Sequence, residues 1–102
     1  MSLTFEKVDK ILKSYGLISH TIRDNRCTEY GFEDKYINSR KRNVATDIRP
    51  LLNGGVSGYL YVEHLKEFEN HPDKTKMGHI KITDMTEDEF ITLLEKVIKD
   101  YI

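Results

Sequence analysis

The hydrophobic period of this chain changes twice along its length, from helical to alternating and back to helical. That order limits the fold more than any motif does, because a helical stripe and a half-buried strand must each be covered by another element. The last segment is the clearest. Thr86-Glu87-Asp88-Glu89 has the form of a capping box, in which the threonine hydroxyl and the glutamate carboxylate each take a backbone N–H of the first turn. Met85 and Phe90 stand at the two staple positions across that cap, and three acids face the positive end of the helix dipole. Phe90, Leu94, Val97, Ile98 and Tyr101 then recur at helical spacing, widened by Ile91, so a helix is expected from about residue 87 to the C-terminus.

At the other end Val8, Ile11, Leu12 and Tyr15 sit at i, i+3, i+4 and i+7, with Glu6, Lys7, Asp9, Lys10 and Lys13 opposite them. Ser2 or Thr4 can cap this helix, and Gly16 is placed to stop it. At about eleven residues it would be marginal alone, so its stripe must dock on something.

Between the helices the period is two. Residues 58–63 carry β-branched and aromatic side chains without proline and read as a central strand. His79 to Thr83 alternates polar and apolar residues, which is the pattern of a strand with one wet face. Thr28, Tyr30 and Phe32 suggest a third strand, and Leu17 to Ile22 a weaker fourth. Residues 67–77, with Asn70-His71-Pro72-Asp73, read as the turn that joins the two best strands into an antiparallel hairpin.

Residues 34–49 are highly charged and begin without periodicity. Val44, Thr46 and Ile48 alternate, so a strand is allowed there, closed onto Tyr59 by a turn at Asn53-Gly54. Thr46 or Asp47 can equally cap a short helix that ends at Gly54, and the Gly54-Gly55 pair favours the helix. The expected architecture is an α+β domain spanning residues 1–102. It has a small antiparallel sheet of three to four strands, with the N- and C-terminal helices packed on one face.

A chain of 102 residues can bury about two thirds of its unfolded surface, enough for one core without metal or disulfide staples. Its single cysteine, Cys27, excludes an internal disulfide. No run approaches the length of a membrane helix and the N-terminus lacks the pattern of a signal peptide, so a cytoplasmic protein with no membrane partner is expected.

A formal net charge of −1 gives no bulk attraction to nucleic acid. The distribution is more telling. All five arginines lie in the first half, while the last twenty residues hold six acids against Lys96 and Lys99. The densest basic cluster is Arg40-Lys41-Arg42, with Lys35, Arg49 and Tyr36 near it in sequence. Guanidinium forks and a tyrosine face suit phosphates and stacked bases, or an acidic protein surface. The plainer reading is a solvated loop whose charges pair with Asp34 and Asp47. Tyr59 and Tyr61 share one strand face, and they form a binding surface if helices leave that face open. The candidate binding residues are therefore Tyr36, Arg40, Lys41, Arg42, Arg49, Tyr59 and Tyr61.

The candidates for chemistry are weaker. His64, His71 and His79 are spaced by seven and eight, unlike the close ligand pairs of zinc sites, so ordinary surface histidines are expected and no metal. Cys27 with His20 would need spatial adjacency and an orienting group to act as nucleophile and base, and a lone cysteine beside strand residues is usually a small buried hydrophobe. Asn53-Gly54-Gly55-Val56-Ser57-Gly58 lacks the lysine of a phosphate loop and precedes a strand, so its glycines are turn glycines. Glu87, Asp88 and Glu89 are accounted for by helix capping. No catalytic residue and no cofactor are expected.

One alanine stands against eleven lysines, ten isoleucines and five asparagines, a bias that suits an A/T-rich genome. The expectation is a small non-enzymatic protein-binding accessory protein, of the regulator, inhibitor or immunity type, from a low-G+C bacterium, phage or mobile element. The alternative is a nucleic-acid-binding protein that uses residues 35–49. A homodimer is compatible with either.

Overall fold

The computed structural model describes residues 3–22, 26–37 and 42–101. In chain order these form α1 (Phe5–Ser14), β1 (Ile18–Ile22), β2 (Cys27–Gly31), β3 (Asn43–Pro50), β4 (Val56–Tyr61), a 3-10 turn (Lys66–Phe68), β5 (His79–Lys81) and α2 (Glu87–Ile98). The strands make one antiparallel meander in sequence order, β1-β2-β3-β4-β5. The α+β class is as expected, with five strands rather than three or four.

The extra strands come from the two weakest stretches of the sequence. Leu17 to Ile22 supplies β1. The short helix favoured over residues 43–54 does not form; that segment is β3, paired on both edges, followed by a hairpin turn. Ladders on both edges give the backbone of β3 partners in β2 and in β4, which one helical turn could not match. Pro50 sits at the strand's last position, opposite Val56, where its missing N–H interrupts no ladder. The glycines that could have stopped a helix turn the hairpin instead. Gly54 takes φ 88°, its N–H donates to Leu51 O at 3.0 Å, and Gly55 N–H donates to Asn53 Oδ1 at 2.9 Å.

The register sorts the side chains into two rows that cross the whole sheet. Ser19, Tyr30, Ala45, Leu60 and Ile80 are successive cross-strand partners, and the last four are buried. One residue away, His20 lies opposite Glu29, Thr46 opposite Tyr59, and Tyr59 opposite Lys81. None of these five is buried. Cross-strand partners share a face, so one face is core and the other is wet.

Both helices lie on the core face. Thr4 caps α1, accepting from Lys7 N–H at 3.2 Å, while Ser2, the other candidate cap, lies outside the described residues. Val8 and Leu12 of α1 are buried, and the Tyr30 hydroxyl donates to Asp9 Oδ1 at 2.6 Å. The capping box of α2 is complete: Thr86 Oγ1 accepts from Glu89 N–H at 3.1 Å, and Thr86 N–H donates to Glu89 Oε1 at 2.9 Å. Phe90, Leu93, Leu94 and Val97 are its buried stripe, and Tyr15 beside α1 donates to Glu95 of α2 at 2.9 Å. The chain then wraps the sheet end, where the Tyr101 hydroxyl donates to Asn43 O at 2.6 Å. Among the described residues no helix is long and apolar enough to cross a membrane.

An irregularity in β3 keeps Ile48 in the core. The register jumps between the Thr46–Tyr59 and Arg49–Ser57 pairs, at Asp47, whose φ of 57° marks the bulge. The extra residue turns Ile48 back to the helix side, fully buried, against the bare Cα of Gly58.

Candidate functional site

The wet face is the surface that the fold leaves uncovered. Tyr59 lies at its centre, half-buried, with the His79 ring edge-on at 6.3 Å between centroids. Thr46, Asp47, Tyr59, Thr75, Met77 and His79 enclose a shallow depression of about 360 Å³. Thr75 and Met77 come from the loop before β5, and Met77 is 73% exposed. Exposed Lys81 lies directly across from Tyr59, and exposed Arg49 lies across from Ser57, the next residue of β4 on the same face. On this face Glu29 is tied to Asn43, whose Nδ2 donates to it at 3.1 Å. The tyrosine therefore has exposed Arg49 and Lys81 on its own face, with Asp47 in the wall of the depression and Asp73 and Asp84 beyond Lys81.

The sequence-predicted binding residues do not form one patch. Arg42 is exposed, its Nη1 donates to Glu33 O at 3.1 Å, and its guanidinium carbon lies 5.8 Å from the Tyr36 ring centroid. Tyr36 is 40% exposed, and Lys35 Nζ sits 5.1 Å from the neighbouring Phe32 ring. Arg40 and Lys41 lie outside the described residues. Arg42 precedes β3 and Arg49 is its last residue but one; at about 3.3 Å per residue, seven residues of strand separate them by roughly 20 Å. Tyr59 is midway between them, opposite Thr46. Tyr61 is only 6% exposed, stacked on His64 at 5.7 Å and met edge-on by His79 at 5.6 Å. It belongs to the wall of the sheet end. Lys81, Thr46 and Met77 were missed as neighbours of Tyr59. The alternation that puts Lys81 on the wet side of His79-Ile80-Lys81 was a legible signal, whereas Met77 sits in a turn without periodicity.

The groups considered for chemistry have structural partners. His64 Nε2 donates to the Val97 carbonyl at 2.9 Å, which joins the segment after β4 to the end of α2. His71 Nδ1 accepts from Asp73 N–H at 3.1 Å, closing its own turn. Among the described residues no group of three or more His, Cys, Asp or Glu side chains is placed to hold a metal ion. Cys27 is 3% exposed, opposite Ile22, and His20 lies diagonally across the β1–β2 ladder; no hydrogen bond joins them. Two tyrosines are held protonated. Burial, and then the bond to Asp9, pushes the Tyr30 hydroxyl far above its ordinary value. Burial, and then the neighbouring Tyr61, does the same to Tyr101.

Comparison of the chain with protein-family models, with curated proteins and with solved structures gives no match in any of the three.

Proposed function

We propose that this chain is a small binding protein without catalysis of its own, which docks an acidic surface of a protein partner on the wet face of its sheet. The observation that carries this reading is Tyr59, half-buried and flanked on the same face by exposed Arg49 and Lys81. A ring set in a shallow depression gives apolar contact area, and cations around it select a partner of opposite charge. Two side chains of a partner, one apolar and one carboxylate, would meet Tyr59 and Lys81 together. The polar groups around the depression suit a rim that tolerates water. The proposed setting is the cytoplasm of a low-G+C bacterium or of a phage or mobile element in one, with a regulator, inhibitor or immunity role.

Tyr36 beneath the Arg42 guanidinium favours a second reading, a nucleic-acid contact at the far end of β3. The two are separated by affinity capture from a candidate host with wild type, Tyr59→Ala/Lys81→Glu and Arg42→Ala/Tyr36→Ala. A protein retained by wild type and lost only from the Tyr59/Lys81 variant supports the first reading. Nuclease-sensitive material lost only from the Arg42/Tyr36 variant, and released steeply by salt, replaces it with the second.

A further inference from the structure

The two outer strands of the sheet are treated differently. On β5 the outward backbone groups of His79 are taken by Thr75: Thr75 N–H donates to His79 O at 2.8 Å and His79 N–H donates to Thr75 Oγ1 at 3.1 Å. The strand also carries the exposed Lys81. Among the described residues neither device is present on β1. It pairs with β2 through five successive residues without a bulge, and among the described residues no other backbone hydrogen bond involves 18–22. Ile18, Ser19, His20 and Thr21 are exposed, with Ile18 at 37%. No lysine, acid or proline interrupts the strand. An unguarded, regular edge of this kind is a template for another strand.

The sequence of that edge specifies which strand. Ile18-Ser19-His20-Thr21-Ile22 reads apolar, hydroxyl, imidazole, hydroxyl, apolar in both directions. We propose that β1 pairs antiparallel with β1 of a second copy of this chain, about a two-fold axis at His20. Ile18 of one protomer then faces Ile22 of its partner, Ser19 faces Thr21, and the two His20 side chains meet on the axis. Each pair is like with like, and apolar and hydroxyl pairs of this kind stabilise antiparallel ladders. No carboxylate, ammonium or guanidinium of the strand confronts its like across the axis, although Glu29 flanks His20 within each protomer.

Parity gives a further constraint. Pairing even-numbered residues with even-numbered ones keeps the wet faces on one side and the helices on the other. Two five-stranded sheets thereby become one sheet of ten strands. A register shifted by one residue would set the wet face of one protomer beside the helix face of the other and place isoleucine against serine. Ser19 and Thr21 are exposed on the helix side, so α1 does not overhang the edge and obstruct the approach. The resulting contact is isologous, which closes at two copies. It is independent of whatever partner the Tyr59 surface binds.

The test is the mass in solution of the full chain by sedimentation or light scattering, from micromolar to submillimolar concentration. Wild type is expected to approach twice the chain mass of 12.0 kDa. His20→Lys and His20→Glu each place like charges on the axis, and each is expected to halve the mass while circular dichroism stays unchanged. An equimolar mixture of the two should recover the dimer, because lysine then faces glutamate. That recovery requires the two residues 20 to lie close to each other across the axis. A wild-type chain that stays monomeric throughout would overturn the proposal. So would a dimer that persists in both variants, or two folded variants whose mixture remains monomeric.

Discussion

The two faces of the sheet are built on the same backbone and differ by one residue of offset. On one side Tyr30, Ala45, Leu60 and Ile80 are sealed under two helices; on the other Glu29, Thr46, Tyr59 and Lys81 meet water. The core row is chosen by volume and apolar surface, since close-packed interiors register the loss of even one methylene. The wet row has no such constraint, so its residues are free to be chosen for what they contact. A half-buried tyrosine with exposed Arg49 and Lys81 on its own face is therefore evidence about binding, whereas the more deeply buried Tyr30 is evidence about packing. The sharpest way to break the comparison is to substitute adjacent residues that point to opposite sides. Leu60 is fully buried, so Leu60→Ala is expected to cost about 2–5 kcal/mol of folding stability. Denaturant titration reads this directly, and a loss similar to that of Tyr59→Ala would mean that the two faces are not distinct.

A second test concerns the bulge that keeps Ile48 on the core side. Gly58 has φ 153°, and a Cβ on it would overlap Ile48 Cδ1 and reach 3.0 Å from Ile48 Cα. Gly58→Ala must therefore displace backbone as well as a side chain, and is expected to cost about 1–3 kcal/mol. If its denaturation midpoint matches wild type, the β3–β4 register described here is wrong.

This bulge also marks where the sequence stopped being readable. The capping box of α2, the stripe of α1 and the alternation before and after residue 60 are local patterns, each contained in about ten residues. They gave the helices and the best strands. The assignment of residues 43–54 failed because the competing signals were both local, while the deciding one was not. Asn53-Gly54-Gly55 can stop a helix or turn a hairpin, and the choice lies with the backbone groups of β2 and β4 that flank β3 on both sides. Asp47 at positive φ then breaks the simple alternation of Val44, Thr46 and Ile48, so even a correct strand assignment would have put Thr46 on the core face beside Val44 and Ile48, whereas it lies on the wet face opposite Tyr59. For the site, Tyr59 was legible as a strand tyrosine. Its separation from Arg42 and the burial of Tyr61 depend on strand length and on how the chain returns around the sheet end, which no local pattern records.

The core face also has a titration signature. Tyrosine loses its proton near 10.0 in the unfolded chain, whereas Tyr30 and Tyr101 hold theirs well above that when folded. Above pH 10 the unfolded state therefore binds fewer protons than the folded one, and stability falls as pH rises. Below pH 10 both hydroxyls are protonated in both states, and their contribution is complete. Tyr30→Phe removes the hydroxyl and its 2.6 Å bond to Asp9, and is expected to cost roughly 1–2 kcal/mol at neutral pH. The same variant should lose part of the alkaline decline in melting temperature, while Tyr101, and Tyr15 through its bond to Glu95, keep contributing to it. An alkaline profile parallel to wild type would place Tyr30 outside the core.

The smallest expected change in stability is the one that matters most for function. Tyr59 is half-buried on a face without a covering layer, so Tyr59→Ala loses some contact with His79 but leaves no closed cavity. Its cost should stay within about 1 kcal/mol, near the centre of what point substitutions do. Lys81→Thr, across the strand, removes a charge while keeping β propensity and should change stability still less. Both variants should weaken capture of an acidic partner, and Lys81→Thr should also blunt its dependence on salt, because a rim cation acts mainly through long-range attraction. A large loss of stability with unchanged capture would make Tyr59 a packing residue like Leu60, and the wet face merely the side of the sheet that nothing happens to cover.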